Sequence, residues 1–223
     1  MSLLIAMMVA ASIYPALILV VLIAIPKIRK LFLSAYNFNG INKENLSFTL
    51  LSSILFLAIV FSFLLSQVEV NQNDMPSLTS SLSPDRLLTA IIVAPILEEF
   101  VFRYLLLGNL LRRYSISTSI ITCSIAFGIL HHGLSFKSLS ATAAGLLLSV
   151  IFVKTRSTTL TAAVHIAHNA LVILFVYLLA KNGQPILSSN LKYSLIAIAA
   201  ICATSLSIMI YKEIKQWKEL EFK

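Results

Sequence analysis

The chain has 223 residues, of which 58% are hydrophobic and 12% charged, and its mean hydropathy is +0.92. Soluble domains carry about a quarter charged residues, so this composition excludes an ordinary soluble protein and indicates an integral membrane protein. The net charge of +8 lies in short segments between apolar runs, which indicates membrane orientation rather than nucleic-acid binding.

Seven apolar runs predict an all-α fold, a polytopic transmembrane helical bundle of about seven spans. A span needs about 20 apolar residues to cross a ~30 Å hydrocarbon core, and only the fourth and fifth runs are short for this. The first run is too long for a signal-peptide core and lacks a basic leading segment, so we predict that it is a retained span. The predicted spans are Leu3–Ile25, Leu46–Gln67, Leu87–Leu111, Ser117–His132, Leu139–Val153, Thr158–Ala180 and Tyr193–Tyr211.

The lysines and arginines of the connecting segments alternate between the two sides of this predicted bundle. Twelve fall on one side and four on the other. The positive-inside rule assigns the richer side to the cytoplasm. We therefore predict a multi-pass protein of the cell membrane with its N-terminus outside and its C-terminus cytoplasmic.

Three ionisable residues, Glu98, Glu99 and Arg103, interrupt the third apolar run. Charged groups inside a membrane span are costly and mark functional sites by default. Glu99 and Arg103 are four residues apart, so they share a helix face and can pair. Glu98 points about 100° away from Glu99 and lacks that partner, which suits it to take and give protons. A purely structural ion cluster is the alternative interpretation.

The histidines are the natural partners for this carboxylate, because all of them lie in or at the ends of apolar runs. His131 shares a helix face with Phe127, and His165 shares one with Asn169. At ~1.5 Å per residue from the cytoplasmic ends, Glu98, His131 and Asn169 reach similar depths, with His165 slightly nearer the cytoplasm. The sequence therefore predicts that a carboxylate, a histidine and a His/Asn pair converge from three helices. The four histidines are His131, His132, His165 and His168.

Two chemistries fit this set of side chains. In the first, Glu98 and His131 activate a water that attacks an amide carbonyl, while His165 and Asn169 donate hydrogen bonds to the oxyanion. In the second, Glu98, His131 and His165 bind zinc, which activates the same water. The spacings do not resemble H-E-x-x-H, so the metal-free version is preferred. No cofactor is then expected, with zinc as the alternative.

Three motifs in order carry a family resemblance. It runs from about Leu87 to Val176 and extends to flanks such as Ala94-Pro95. The motifs resemble the signature of the CPBP intramembrane proteases (CAAX protease and bacteriocin-processing, also called Abi). One departure is Tyr104, where a glycine commonly follows Phe-Arg, and it bears on substrate fit rather than on chemistry. The motifs are Glu98-Glu99-x-x-x-Arg103, Phe127-x-x-x-His131 and His165-x-x-x-Asn169.

The resemblance implies a peptidase, CAAX prenyl protease 2-like, of the glutamate type with a metalloprotease label as the alternative. Its substrate would be a membrane-associated, lipidated or leader peptide cleaved within or at the edge of the membrane. Glu98, His131, His165 and Asn169 would be catalytic. Glu99, Arg103 and Phe127 would shape the site, whereas His132 and His168 are expected to pack. One integrated membrane domain is predicted, with N-terminal spans in residues 1–86, the catalytic core in 87–180, and the last span and a cytoplasmic amphipathic tail in 181–223.

Two other functions stay open. Buried Glu, Arg and His side chains also build the proton relays of transporters. The inverted repeats that would favour a transporter are not seen in the seven runs. A non-catalytic bacteriocin-immunity membrane protein could keep the motifs as structure. The expected partners are a peptide or lipidated protein substrate and membrane lipids, with no nucleic acid, and the sequence carries no signal for an oligomeric state.

Overall fold

The computed structural model describes residues 26–36, 41–66, 83–132, 138–182 and 189–221. These residues form seven helices and no strand, which confirms the predicted all-α membrane fold. The predicted first span, Leu3–Ile25, and most of the polar segment that follows Ser66 lie outside the described residues. The helices are α1 (Pro26–Ala35), α2 (Lys43–Ser66), α3 (Pro84–Leu110), α4 (Ile116–His132), α5 (Ser138–Thr155), α6 (Thr158–Asn182) and α7 (Ser189–Glu221).

Four of the described helices are long and apolar enough to cross a membrane by length and composition. They correspond to the second, fifth, sixth and seventh predicted spans. Helix α4 carries a shorter apolar stretch, Ile116–His131, at the place of the fourth. The total of seven spans and the orientation of the termini stay predictions. The four long stretches are Lys43–Ser62, Ser138–Thr155, Thr158–Leu178 and Asn190–Trp217.

Helix α3 is not a uniform α-helix. Two π-helical segments flank a short α-helical segment, and the proline near the start of this segment has no N–H to donate. Such wide turns are rare and often occur at functional sites, and they change the direction of the side chains that follow. The segments of α3 are Pro84–Leu88 (α), Thr89–Val93 (π), Ala94–Glu99 (α), Phe100–Leu107 (π) and Gly108–Leu110 (α).

The chain divides into two compact units, and unit one comprises residues up to Asn45 together with Pro84–Ala167. In it, α4 and α5 pack along each other and both contact α3. A Cβ on Gly128 would lie 2.6 Å from the carbonyl oxygen of Ser138 and would collide with Thr142 Oγ1. A Cβ on Gly145 would lie 3.2 Å from the ring of Phe127. The two glycines therefore allow a close approach of α4 and α5.

A tight connection joins α5 to α6 in the same unit. Arg156 has a φ of 52°, in the left-handed region, and its N–H donates to the carbonyl of Phe152 at 2.7 Å. The hydroxyl of Ser157 then accepts from the N–H of Leu160 at 3.2 Å and caps the first turn of α6. This turn sets the first residue of α6 and thereby the position of His165 along that helix.

Unit two comprises Leu46–Ser83 and His168–Lys223, so it includes most of α2, the second part of α6 and all of α7. Two stacked ring pairs hold α2 against α6: Phe56 on His168 with centroids 5.5 Å apart, and Phe61 on Phe175 with centroids 4.7 Å apart. Helix α7 runs without a break to Glu221, so the basic tail continues the last helix.

Candidate active site

Three helices of unit one bring two glutamates and two histidines together. The α-helical segment of α3 supplies Glu98 and Glu99, the end of α4 supplies His131, and α6 supplies His165. Glu99 is fully buried, whereas the side chains of Glu98 and His131 keep 27% and 29% of their exposure. One part of the cluster is thus buried, and another part is partly exposed.

Glu99 and Arg103 form the buried part of this cluster. Arg103 Nε lies 3.2 Å from Glu99 Oε2, at ion-pair distance although the N–H is not aligned for a hydrogen bond. Both side chains have no exposed surface. Arg103 also donates from Nη2 to the carbonyl of Gly145 at 3.3 Å. The guanidinium is therefore tied to α5 while its charge offsets that of Glu99.

His165 contacts both glutamates. Its Nδ1 lies 3.0 Å from Glu99 Oε1, and its Nε2 lies 3.7 Å from Glu98 Oε2. A carboxylate paired with arginine accepts hydrogen bonds, so His165 Nδ1 carries the hydrogen and donates it. In the neutral ring, Nε2 then presents its lone pair towards Glu98.

His131 is oriented in the same way by its own helix. Its Nδ1 lies 2.8 Å from the carbonyl oxygen of Phe127, and a carbonyl can only accept, so Nδ1 must donate. Its Nε2 lies 3.5 Å from Glu98 Oε2. Glu98 therefore faces the Nε2 atoms of two histidines whose other ring nitrogens are already engaged. When both rings are neutral, Glu98 Oε2 and the two Nε2 atoms are all hydrogen-bond acceptors. Such a group of acceptors can bind a proton or a water molecule.

The ring of Phe127 is the apolar centre around which the polar groups are arranged. Arg103 lies over its face, with Cζ 4.8 Å from the centroid, a cation–π arrangement. The rings of His131 and His165 lie 4.1 and 5.9 Å from the same centroid. Phe102 packs against it edge-on at 5.0 Å. Phe127 itself is 2% exposed, so it fixes the ring positions and excludes water from beneath the cluster.

The remaining histidines and the amide differ in their surroundings. Asn169 follows His165 by one turn on α6 but falls in unit two, so its part in the site stays a prediction. His168 packs on Phe56 within that second unit. The side chain of His132 lies outside the described residues.

Comparison with known families bears on the same segment. A family model described as type II CAAX prenyl endopeptidase Rce1-like matches residues 80–171. This match supports the resemblance of the segment to the CPBP/CAAX proteases. It runs from just before α3 to beyond Asn169 and contains every residue that the sequence predicted for the site. No curated protein and no solved structure matches the chain.

The CAAX protease family supports peptidase activity on a membrane-associated peptide. Within the matched segment, the cluster of α3, α4 and α6 combines buried charge on Glu99 and Arg103 with partly exposed side chains of Glu98 and His131. Among the described residues, no group of three or more His, Cys, Asp or Glu side chains has an arrangement suited to hold a metal ion.

Several contacts around this cluster had no signal in the sequence. The carbonyl of Gly145 accepts from Arg103, and Cys123 Sγ donates to the carbonyl of Phe102 at 3.3 Å. The hydroxyl of Tyr36 donates to the carbonyl of Ile96. Each joins a side chain on one helix to a backbone carbonyl of another. Sequence patterns do not predict such contacts, because every residue type has the same backbone carbonyl.

Proposed function

We propose that the chain is an intramembrane endopeptidase, a multi-pass protein of the cell membrane that hydrolyses a peptide bond of a lipidated or leader peptide substrate. One observation supports this most strongly: Glu98 Oε2 lies 3.5 Å from Nε2 of His131 and 3.7 Å from Nε2 of His165. The side chains of Glu98 and His131 are partly exposed, so a water molecule can reach this side of the cluster.

The charges of the cluster favour one added proton on the group of Glu98, His131 and His165. Glu98 and Glu99 carry two negative charges and Arg103 carries one positive charge. Uncompensated charge is costly inside a membrane protein. One proton added to the group of Glu98, His131 and His165 brings the cluster to neutrality. It also removes the conflict between the three acceptors described above.

In the proposed reaction, the water oxygen attacks the carbonyl carbon of the scissile bond. Glu98 and the Nε2 lone pair of His131 take the proton that the water releases. As the carbon–nitrogen bond breaks, the same proton passes to the leaving amine. The products are a free carboxyl and a free amine, so no co-reactant other than water is consumed.

The oxyanion of the tetrahedral intermediate needs donors on the opposite side of the carbonyl. With the added proton on His165, its Nε2–H is such a donor, and Glu99 behind Nδ1 stabilises the charged ring. We propose Asn169 as the second donor. Arg103 and Phe127 then act on the site by fixing Glu99 and the two imidazole rings.

This mechanism is of the glutamate type and uses no cofactor. The zinc alternative, with Glu98, His131 and His165 as ligands, is tested by measuring zinc in the purified protein and activity in the presence of a chelator. We expect less than stoichiometric zinc and no inhibition. Stoichiometric zinc together with chelator inhibition would replace the metal-free mechanism.

The central experiment compares Glu98→Gln with wild type in membranes, by peptidomics of membrane-bound and released peptides. Peptides whose cleavage depends on the protein are then synthesised and cleaved by purified protein in nanodiscs. Loss of a general acid–base group lowers rates by about 10²–10⁴-fold. We expect a loss of this size for Glu98→Gln and for His131→Ala, with unchanged amounts of folded protein.

Glu44→Gln is the matched control, because it makes the same chemical change on a glutamate that is 82% exposed and pairs with Lys154. It should cleave like wild type. Equal cleavage by wild type and Glu98→Gln would refute the proposal. Proton-dependent transport of a solute without proteolysis would instead favour a transporter. An unchanged phenotype in a Glu98→Gln strain would favour a non-catalytic immunity protein.

A further inference from the structure

Helix α1 packs against the part of α3 that carries the two glutamates. Ala35 at the end of α1 is buried with Leu97 and Phe100 of α3. The ring of Phe32 meets the ring of Phe100 edge-on, with centroids 5.0 Å apart. The exposed side of α1 carries Lys27, Arg29 and Lys30. Its apolar side is therefore the surface that contacts α3.

At the α-to-π transition of α3, one backbone N–H is shared between two carbonyls. The N–H of Phe100 is shared between the carbonyls of Ile96 and Leu97. The Ile96 carbonyl therefore shares this donor with Leu97. The turn from Ile96 to Phe100 contains both Glu98 and Glu99, so any freedom of this carbonyl moves the two carboxylates.

The hydroxyl of Tyr36, directly after α1, donates to this same carbonyl of Ile96. Burial raises the pKa of Tyr36, and the negative charge of Glu99 acts in the same direction. The hydroxyl thus stays protonated and keeps its hydrogen for donation throughout the working pH range. Its neighbours Phe32 and Phe100 hold the ring in place, since Phe32 lies 5.1 Å from Tyr36.

We infer that Tyr36 is a positioning residue of the active site, which holds the Ile96–Phe100 turn so that Glu98 faces His131 and His165. This inference rests on the proposed peptidase function. In the part of the chain that the structure describes, Tyr36 contacts the Ile96 carbonyl and the ring of Phe32. It acts through the backbone of α3, from a position outside the segment that the family model matches.

A second polar contact between α1 and α3 provides the matched control. Ser34 Oγ lies 3.3 Å from the hydroxyl of Tyr104, at an exposed position. Ser34→Ala removes this contact and leaves the Ile96 carbonyl with its donor. If α1 served only to add packing or stability, loss of either hydroxyl should have similar effects.

The experiment uses the full chain in nanodiscs and compares wild type, Tyr36→Phe, Ser34→Ala and Glu98→Gln. Tyr36→Phe keeps the ring and removes only the hydroxyl, so it should fold. The hydrogen bond that Tyr36→Phe removes positions the two carboxylates. If its whole free energy is lost from the transition state, kcat falls by about three- to tenfold. We expect this fall with an unchanged KM and a melting temperature lowered by no more than about 4 °C. Ser34→Ala should stay within about twofold of wild type in kcat.

Amide hydrogen exchange over residues 96–103 gives a second readout that needs no substrate. We expect faster exchange in Tyr36→Phe and wild-type exchange in Ser34→Ala. Wild-type kcat in Tyr36→Phe refutes the inference, whether or not exchange is faster, and equal losses in both hydroxyl variants refute it as well. Full activity of Glu98→Gln would instead refute the proposed function, so the two failures are distinguishable.

Discussion

Replacing Arg103 with leucine tests whether the site is built on a compensated buried charge. The substitution removes the partner that lies 3.2 Å from Glu99 Oε2 and leaves the carboxylate at zero exposure with His165 as its remaining polar contact. It also removes the hydrogen bond to the Gly145 carbonyl and the cation–π contact with Phe127. The change is therefore mainly electrostatic in a place that water does not reach.

The magnitude follows from these contacts. Removing one partner of a buried ion pair costs about 3–5 kcal/mol, because the other charge is left uncompensated. Arg103→Leu should lower the free energy of unfolding by this amount. In the double variant Arg103→Leu/Glu99→Gln, the uncompensated charge is gone and the amide oxygen of the introduced glutamine would still accept from His165. Only the hydrogen bond to Gly145 and the contact with Phe127 remain lost, about 1–3 kcal/mol together.

The free energies can be compared by denaturant titration in mixed micelles, followed by circular dichroism. Arg112→Leu, at an exposed arginine just beyond α3, is the matched control and should change stability by less than about 0.5 kcal/mol. The double variant should be more stable than Arg103→Leu alone. A double variant that is less stable than the single one would refute the reasoning, because it would show that Glu99 is not the source of the cost.

Two further predictions concern the backbone. Gly128→Ala should lower the free energy of unfolding by about 1–3 kcal/mol, because its Cβ would lie 2.6 Å from the Ser138 carbonyl oxygen. Gly108→Ala, whose Cβ would have no contact closer than 3.7 Å, should be neutral or stabilising, and equal losses in both would contradict the close-packing argument. Arg156→Gly should be more stable than Arg156→Ala by about 1 kcal/mol in thermal unfolding, since only glycine adopts a φ of 52° without strain. A more stable alanine variant would count against the left-handed turn.

The parts of the site that follow from spacing along one helix could be predicted. Glu99 and Arg103 lie one turn apart, and the structure joins them, because helix geometry alone sets that contact. His131 above Phe127 is the same case. The approach of Glu98 to His131 could be anticipated more loosely, from the similar depth of the two residues in their spans. Apolar runs likewise predicted the helices, since length and composition decide what crosses a membrane.

Contacts that depend on the rotation of one helix against another could not be predicted. The expected role of His165 was donation to an oxyanion, and nothing in its spacing indicated that its Nδ1 would contact Glu99 at 3.0 Å. The rotation of α6 that permits this contact is set by packing over many residues. The sequence pattern also gave no indication of the π-helical segments of α3. Tyr36 had no pattern at all, because its partner is a carbonyl.

The π-helical turns of α3 determine how a deletion in this helix would affect the directions of the two glutamates. Adjacent residues of a helix point about 100° apart, so in a continuous α-helix a shift of one position would turn Glu99 into the direction of Glu98. The wide turn Thr89–Val93 takes up one extra residue per turn compared with an α-helix. Deleting a residue there would let the turn close to an α-helix. A one-residue deletion in this turn would therefore be absorbed by the change from π-helix to α-helix, and Glu98 and Glu99 would keep their directions.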